Sequence, residues 1–177
     1  DLDMGHIDGV INCAGSLLLK PAHLTSATDY QAVIEASLTT AFSVVRAAAK
    51  TMPAGGSVTL VSSAAALEGL ANHEAIAAAK AGIVGLTLSA AASYAGAKLR
   101  INAVAPGLTQ TPLTQQITGN DTSRKFSEAM HALGRLGTPE DVARAIVFLA
   151  DPQNDWITGQ VLAVDGGLSC IRPKLKA

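Results

Sequence analysis

Four short runs with little internal polarity, residues 9–12, 57–61, 100–105 and 160–164, alternate along the chain with long alanine-rich runs. This alternation is the feature that most limits the fold. A strand with so little internal polarity reads as one covered on both faces, as strands of a parallel sheet are. The runs between them, roughly 28–52, 74–97 and 139–150, read as helices. Strand and helix repeated in this order predict an α/β architecture, a doubly wound parallel sheet flanked by helices.

The third helix has the clearest local chemistry. Thr138-Pro139-Glu140-Asp141 places a hydroxyl at the N-cap, a proline in the first turn and two acids against the helix dipole. Val142, Ala145, Ile146 and Leu149 then recur on one face, and Pro152 after Asp151 ends the helix. Between the third strand and this helix, residues 107–137 form a stretch of Thr, Gln, Gly, Asn and Asp with a weak helical patch at 123–131. It is too long for an ordinary connection, and loops of that size are substrate-binding lids or surface excursions. No repeat, linker or low-complexity block divides residues 1–177, which read as one domain.

Composition narrows the partners. Thirteen basic against fourteen acidic residues leave a net charge of −1, without the electrostatic footprint of a nucleic-acid or anionic-membrane binder. There are 33 alanines against 6 aromatic residues, so aromatic base-stacking platforms are not expected and close helix-on-sheet packing is. Cys13 and Cys170 are far apart and lack metal-ligand spacing, which suits a reducing, cytoplasmic setting with no disulfide and no metal. Lys80, Gly82 and Gly85 interrupt the most apolar stretch, so no membrane-spanning helix and no signal peptide are expected.

In an open α/β sheet, ligands bind beyond the carboxyl ends of the strands. There the chain carries Asn12-Cys13-Ala14-Gly15, Ser62-Ser63, Pro106-Gly107 and Asp165-Gly166-Gly167. Small residues let a flat ligand approach the backbone, although ordinary turns use the same residue types. In this order and spacing the motifs resemble those of the short-chain dehydrogenase/reductase family, from its fourth strand to its C-terminus, over nearly all of the chain. Asn12-Cys13-Ala14-Gly15 is similar to the family's Asn-Asn-Ala-Gly, and Ser63 to its active-site serine. Pro106-Gly107 with Thr111 resembles its Pro-Gly-x-x-x-Thr cofactor clamp. Thr158-Gly159-Gln160 and Asp165-Gly166-Gly167 resemble its C-terminal signature.

The resemblance implies a Rossmann-like fold and NAD or NADP held by Asn12, Ala14, Gly15, Lys80, Pro106, Gly107 and Thr111. It also implies a small carbonyl or alcohol substrate and assembly as a homodimer or homotetramer. Two catalytic positions depart from the family. Lys80 falls on its lysine, but the tyrosine four residues earlier is Ile76, which can neither give nor take a proton. The helix asparagine is Ser37. His73, three residues before Ile76, is the one candidate substitute acid, provided the helix already includes it; its other role is capping or surface exposure. His6, His23 and His131 read as solvated loop histidines.

The family's opening strand, glycine-rich turn and pyrophosphate-binding helix have no counterpart here, and the chain starts Asp1-Leu2-Asp3 without Met. The N-terminal part of the fold is therefore expected to be missing from this sequence. Three outcomes remain open: an NAD(P)-linked oxidoreductase, a non-catalytic relative that binds a nucleotide or a partner, and an inactive fragment.

Overall fold

A computed structural model describes residues 6–173. Four strands, β1 (Gly9–Asn12), β2 (Gly56–Val61), β3 (Leu99–Pro106) and β4 (Val161–Val164), form one sheet in the order β1-β2-β3-β4 with every pair parallel. All four expected strands are present within a residue or two of their limits. Because every connection is a crossover, the carboxyl ends of all strands share one edge.

On one face lie α1 (Ala27–Ile34), a π-helical turn (Glu35–Thr39), α2 (Thr40–Thr51) and α3 (Glu74–Tyr94). On the other lies α6 (Pro139–Ala150), while the short α4 (Gln115–Thr118) and α5 (Asp121–Met130) occupy the long segment after β3. Alternation along the strands assigns the faces. Val58 and Leu60 of β2 and Ile101 and Ala103 of β3 pack with Val45, Ala48 and Ile83 from the first helical layer. Val61 and Val104 point the other way, to Ile146 and Leu149 of α6. Each such fully buried Val, Leu or Ile contributes roughly 1.5–3 kcal/mol.

Polar residues buried in the sheet fasten the C-terminal unit. Arg100 donates to the carbonyls of Leu149, Asp151 and Ile157, capping the end of α6. Asn102 donates to Ile157 O and accepts from Gln160 N, both at 2.9 Å, which sets β4 beside β3. Gly166 and Gly167 have φ of 58° and 84°, so the turn after β4 uses left-handed backbone that only glycine adopts freely.

Two expectations need correction. The helical runs Ala27–Thr51 and Glu74–Ala97 do reach the length and mean hydropathy, 1.3 and 1.6, of a membrane span. Lys80, Gly82 and Gly85 do not break α3, because the helix propagates through all three. Both runs pack on the sheet, and a core helix has the same composition as a span. Second, the helix expected over 28–52 is interrupted by the π turn, which no breaker residue announces. A Cβ on Gly82 would come within 2.8 Å of Leu38 in that turn, so α3 and the turn meet at a glycine.

The start of α6 follows its local chemistry: Thr138 Oγ1 accepts from Asp141 N, and the Asp141 carboxylate accepts from Thr138 N at 2.9 Å. Thr138→Ala is expected to cost about 1 kcal/mol in urea unfolding and Thr138→Ser almost nothing. Equal losses for the two would show that the cap does not hold this helix.

Candidate functional site

The end of β2 and the middle of α3 are stitched together by two hydrogen bonds. Ser62 Oγ donates to the Lys80 carbonyl at 2.9 Å, and Lys80 Nζ donates to the Val61 carbonyl at 2.8 Å. Lys80 is 7% exposed, and burial away from water pulls its ammonium down from 10.5 to about 8, with the nearby Cys13 opposing weakly. The amine therefore sits at the carboxyl edge of the sheet, where the strand runs out of carbonyl partners.

The loop after β1 reaches the same place. Asn12 is buried, and its Oδ1 accepts from Ala14 N at 3.1 Å, forming the turn that carries Cys13, Ala14 and Gly15 over the edge. A Cβ on Gly15 would stand 3.2 Å from Lys80 Nζ and 3.7 Å from Ser37 Oγ. Ser37 is fully buried in the π turn, and its Oγ accepts from Ser16 N at 3.4 Å. Thus Asn12, Ala14, Gly15, Ser37 and Lys80 converge from three separate elements. Ser63 lies two residues past β2; its Oγ accepts from Ala65 N at 3.1 Å and caps a short 3-10 turn, and its hydroxyl proton has no acceptor among the described residues.

Two further candidates sit at and just before the start of α3. Ile76 is 3% exposed and packs with Val33, Ala75 and Ala79, beside Leu18, Ile34 and Leu38. His73 precedes α3, which begins at Glu74, so the condition for its side chain to share the Ile76 face is not met. Its Nδ1 lies 2.7 Å from the Ala71 carbonyl, which spends that nitrogen on the preceding turn.

The segment 107–137 is anchored at its base. Gly137 N donates to Leu108 O and Gln110 N to Gly137 O, both at 3.0 Å. Gly107 N donates to Val164 O, and Thr111 forms a reciprocal cap with Thr114. No hydrogen bond among the described residues links Pro106, Gly107 or Thr111 to the Lys80 cluster. A cleft of about 470 Å³ opens instead at the β4 side, between Gly107, His131, Arg135, Asp141 and Asp165.

His131, expected as a solvated loop histidine, is placed otherwise. Far from being solvated, it is 4% exposed and bonded through both ring nitrogens. Nothing in its sequence surroundings, after Met130 and before Ala132, distinguishes it from a loop histidine. Cys13 and Cys170 are both exposed free thiols.

Residues 2–169 match the family model described as Enoyl-(Acyl carrier protein) reductase. A 3-oxoacyl-(acyl-carrier-protein) reductase of Thermotoga maritima is 38% identical over 170 residues, covering 93% of this chain and 67% of the relative. A protein of Xanthobacter autotrophicus named inactive 2-(S)-hydroxypropyl-CoM dehydrogenase 2 is 33% identical, covering 95% of this chain and 76% of that protein. Among solved structures, ElxO with NADP bound superposes with a TM-score of 0.86 at 34% identity, covering 93% of this chain and 68% of the other. The chain thus spans about two thirds of the length of the first and last of these.

Lys80 gives a direct test of the site's electrostatics. Its folded value, about 8, lies below its unfolded 10.5, so the unfolded chain binds more protons between these limits and stability rises with pH across them. In Lys80→Met that rise between pH 8 and 10.5 should flatten; denaturation curves retaining the full slope would place the charge in water.

Proposed function

The chain belongs to the short-chain dehydrogenase/reductase family, and we propose that its carboxyl edge binds NAD or NADP and serves hydride exchange with a small carbonyl or alcohol. One observation carries this reading: Gly15, Ser37 and Lys80 come within a few ångströms of a single point at the ends of β1 and β2. The dinucleotide fits the residues present. The Lys80 ammonium has three N–H donors, of which one is spent on Val61 O, and the others suit ribose hydroxyls. A Cβ at Gly15 would stand 3.2 Å from that amine, so glycine leaves the space beside it unfilled by a side chain. In this reading Asn12, Ala14, Pro106, Gly107 and Thr111 complete the cofactor contacts, and 107–137 is the substrate-side lid.

When bound, the nicotinamide supplies or accepts the hydride. This chain's part is to orient and to manage the proton at the substrate oxygen. Ser63, whose hydroxyl has no acceptor among the described residues, donates a hydrogen bond to that oxygen and keeps its own proton, and the proton of the alcohol is exchanged with water. Ile76, in the place the family gives to tyrosine, has no polar atom to offer and packs among apolar neighbours. Lys80 holds ribose without a phenol to activate.

The remainder of the family fold, with the glycine-rich phosphate turn, belongs in this reading beside β1. Support comes from the strand itself: among the described residues β1 pairs only with β2, and its Ile11 is 49% exposed. An apolar edge strand with unpaired backbone is a ready template for a further parallel strand. Ala81, Gly85 and Leu88 form an outward stripe on α3, opposite the inward Gly82, Ala90 and Ala91, and supply a face for a homodimer or homotetramer.

A second reading, a non-catalytic nucleotide- or partner-binding member, is favoured by the burial of Ile76 in an apolar cluster. The relative of Xanthobacter autotrophicus that bears the name inactive lends it weight. NADH and NADPH titrations followed by nicotinamide fluorescence test the shared premise: saturable binding that Lys80→Ala weakens about tenfold is expected, roughly the value of one charge-assisted hydrogen bond. No binding of either dinucleotide would end both the oxidoreductase and the nucleotide-binding readings. Turnover then separates them. Ile76→Tyr should bring carbonyl-dependent oxidation of NAD(P)H above the parent's level, and continued silence would clear Ile76 of responsibility.

A further inference from the structure

His131 follows the last residue of α5, and although Met130 and Leu133 face solvent, its own side chain is buried at 4% exposure. The ring bridges two backbone groups. Nε2 lies 3.1 Å from Leu108 N, and Nδ1 lies 2.7 Å from Ser127 O. A backbone N–H only donates and a carbonyl only accepts, so the partners dictate the tautomer: the proton is on Nδ1 and the lone pair on Nε2. Only the neutral imidazole satisfies both.

The fit around the ring is close. A Cβ on Gly107 would be 2.6 Å from Nε2, and one on Gly166 would be 3.6 Å from His131 Cβ. A single side chain therefore touches the ends of β3 and β4 and fastens them to α5. We propose that His131 is the positioning residue of the 106–111 segment, a latch that holds Leu108 while its imidazole is neutral and lets go when it is protonated. The consequence for cofactor rests on the reading of Pro106, Gly107 and Thr111 as the clamp.

Protonation puts a hydrogen on Nε2, facing the Leu108 N–H, and two donors cannot bond. The charged groups nearby do not forbid that charge. At the end of β4 stands the buried Asp165 carboxylate, which burial pushes up but hydrogen bonds from Ser169 and Gly167, with His131 beside it, bring down overall. Arg135, Asp141 and Arg144 line the same cleft, with Arg135 paired to Asp141 at 2.6 Å. Glu128 of α5 accepts from His131 N through its backbone carbonyl, and the end of β3 at Gly107 and Leu108 carries no charge. An anion is thus at hand for the imidazolium, while the acceptor for Leu108 is gone, and the latch opens.

The experiment uses the protein without added dinucleotide. Nitrogen-15 spectra of the His131 ring at pH 8 should show a protonated Nδ1 and a bare Nε2. On acidification, the Leu108 amide, corrected for intrinsic exchange, should lose protection about tenfold, the loss of roughly one hydrogen bond, in step with protonation of His131. His131→Gln, which offers a non-titrating oxygen toward Leu108, should keep that amide protected at both pH values, and His131→Phe should leave it unprotected at both. A proton on Nε2 at pH 8 would overturn the proposal. So would wild-type pH dependence persisting in His131→Gln, a comparison that decides the matter even if the phenylalanine variant does not fold. Dinucleotide titrations over the same pH range separate the two claims. Binding that weakens with acid in the wild type but not in His131→Gln supports the latch acting on the clamp. Exchange that follows His131 without any dinucleotide binding upholds the latch and refutes the clamp.

Discussion

The site depends on the double stitch between β2 and α3. Ser62 holds the Lys80 backbone, and the Lys80 amine returns to the strand one residue earlier, at Val61. A strand that ends at a sheet edge leaves a carbonyl looking for a donor, and a helix crossing that edge can supply one only from a long side chain. Lysine is long enough. The bond consequently fixes which turn of α3 faces the carboxyl edge, and with it the direction of Ile76 one turn before and of Ile83 in the turn after. Burial of the amine is unfavourable in itself, as its lowered value of about 8 shows, so its position is sustained by the packing of α3 on β3 and β2.

Close packing then brings the second wall. Gly82 lets the π turn approach α3, and the extra residue in that turn places Ser37 on the inner side, where it meets Ser16 and the space beside Gly15. An uninterrupted α-helix over 27–51 would rotate every later residue by about 100° per residue inserted or removed, because successive side chains are set by 3.6 residues per turn. The π turn is therefore what allows α2 to keep Ala41, Val45 and Ala48 on the sheet while Ser37 points to the site.

Much of this was legible in the residues. Strand limits followed from short runs with little internal polarity, and the start of α6 from Thr138, Pro139 and Asp141, because both depend on chemistry within a few positions. The convergence of Gly15, Ser37 and Lys80 was legible only through the resemblance of motif order, since their proximity is made by tertiary packing. The π turn and the buried state of His131 were not legible at all. A π turn carries no breaker, and His131 owes its burial to Gly107 and Gly166, residues 24 and 35 positions away whose lack of a side chain makes the room.

The same logic explains why the two halves of the edge differ. Around Lys80 a charged donor faces the Val61 carbonyl, and Gly15 and Ser37 gather beside it from two other elements. Around His131 a neutral ring spends both nitrogens on backbone and fills the space that Gly107 leaves. Glycine makes room at both places: a Cβ on Gly15 would stand 3.2 Å from the Lys80 amine, and one on Gly107 would collide with the His131 ring at 2.6 Å. The strand ends that carry both clusters are kept in register by the parallel pairing of β2 with β3 from Gly56 to Val61.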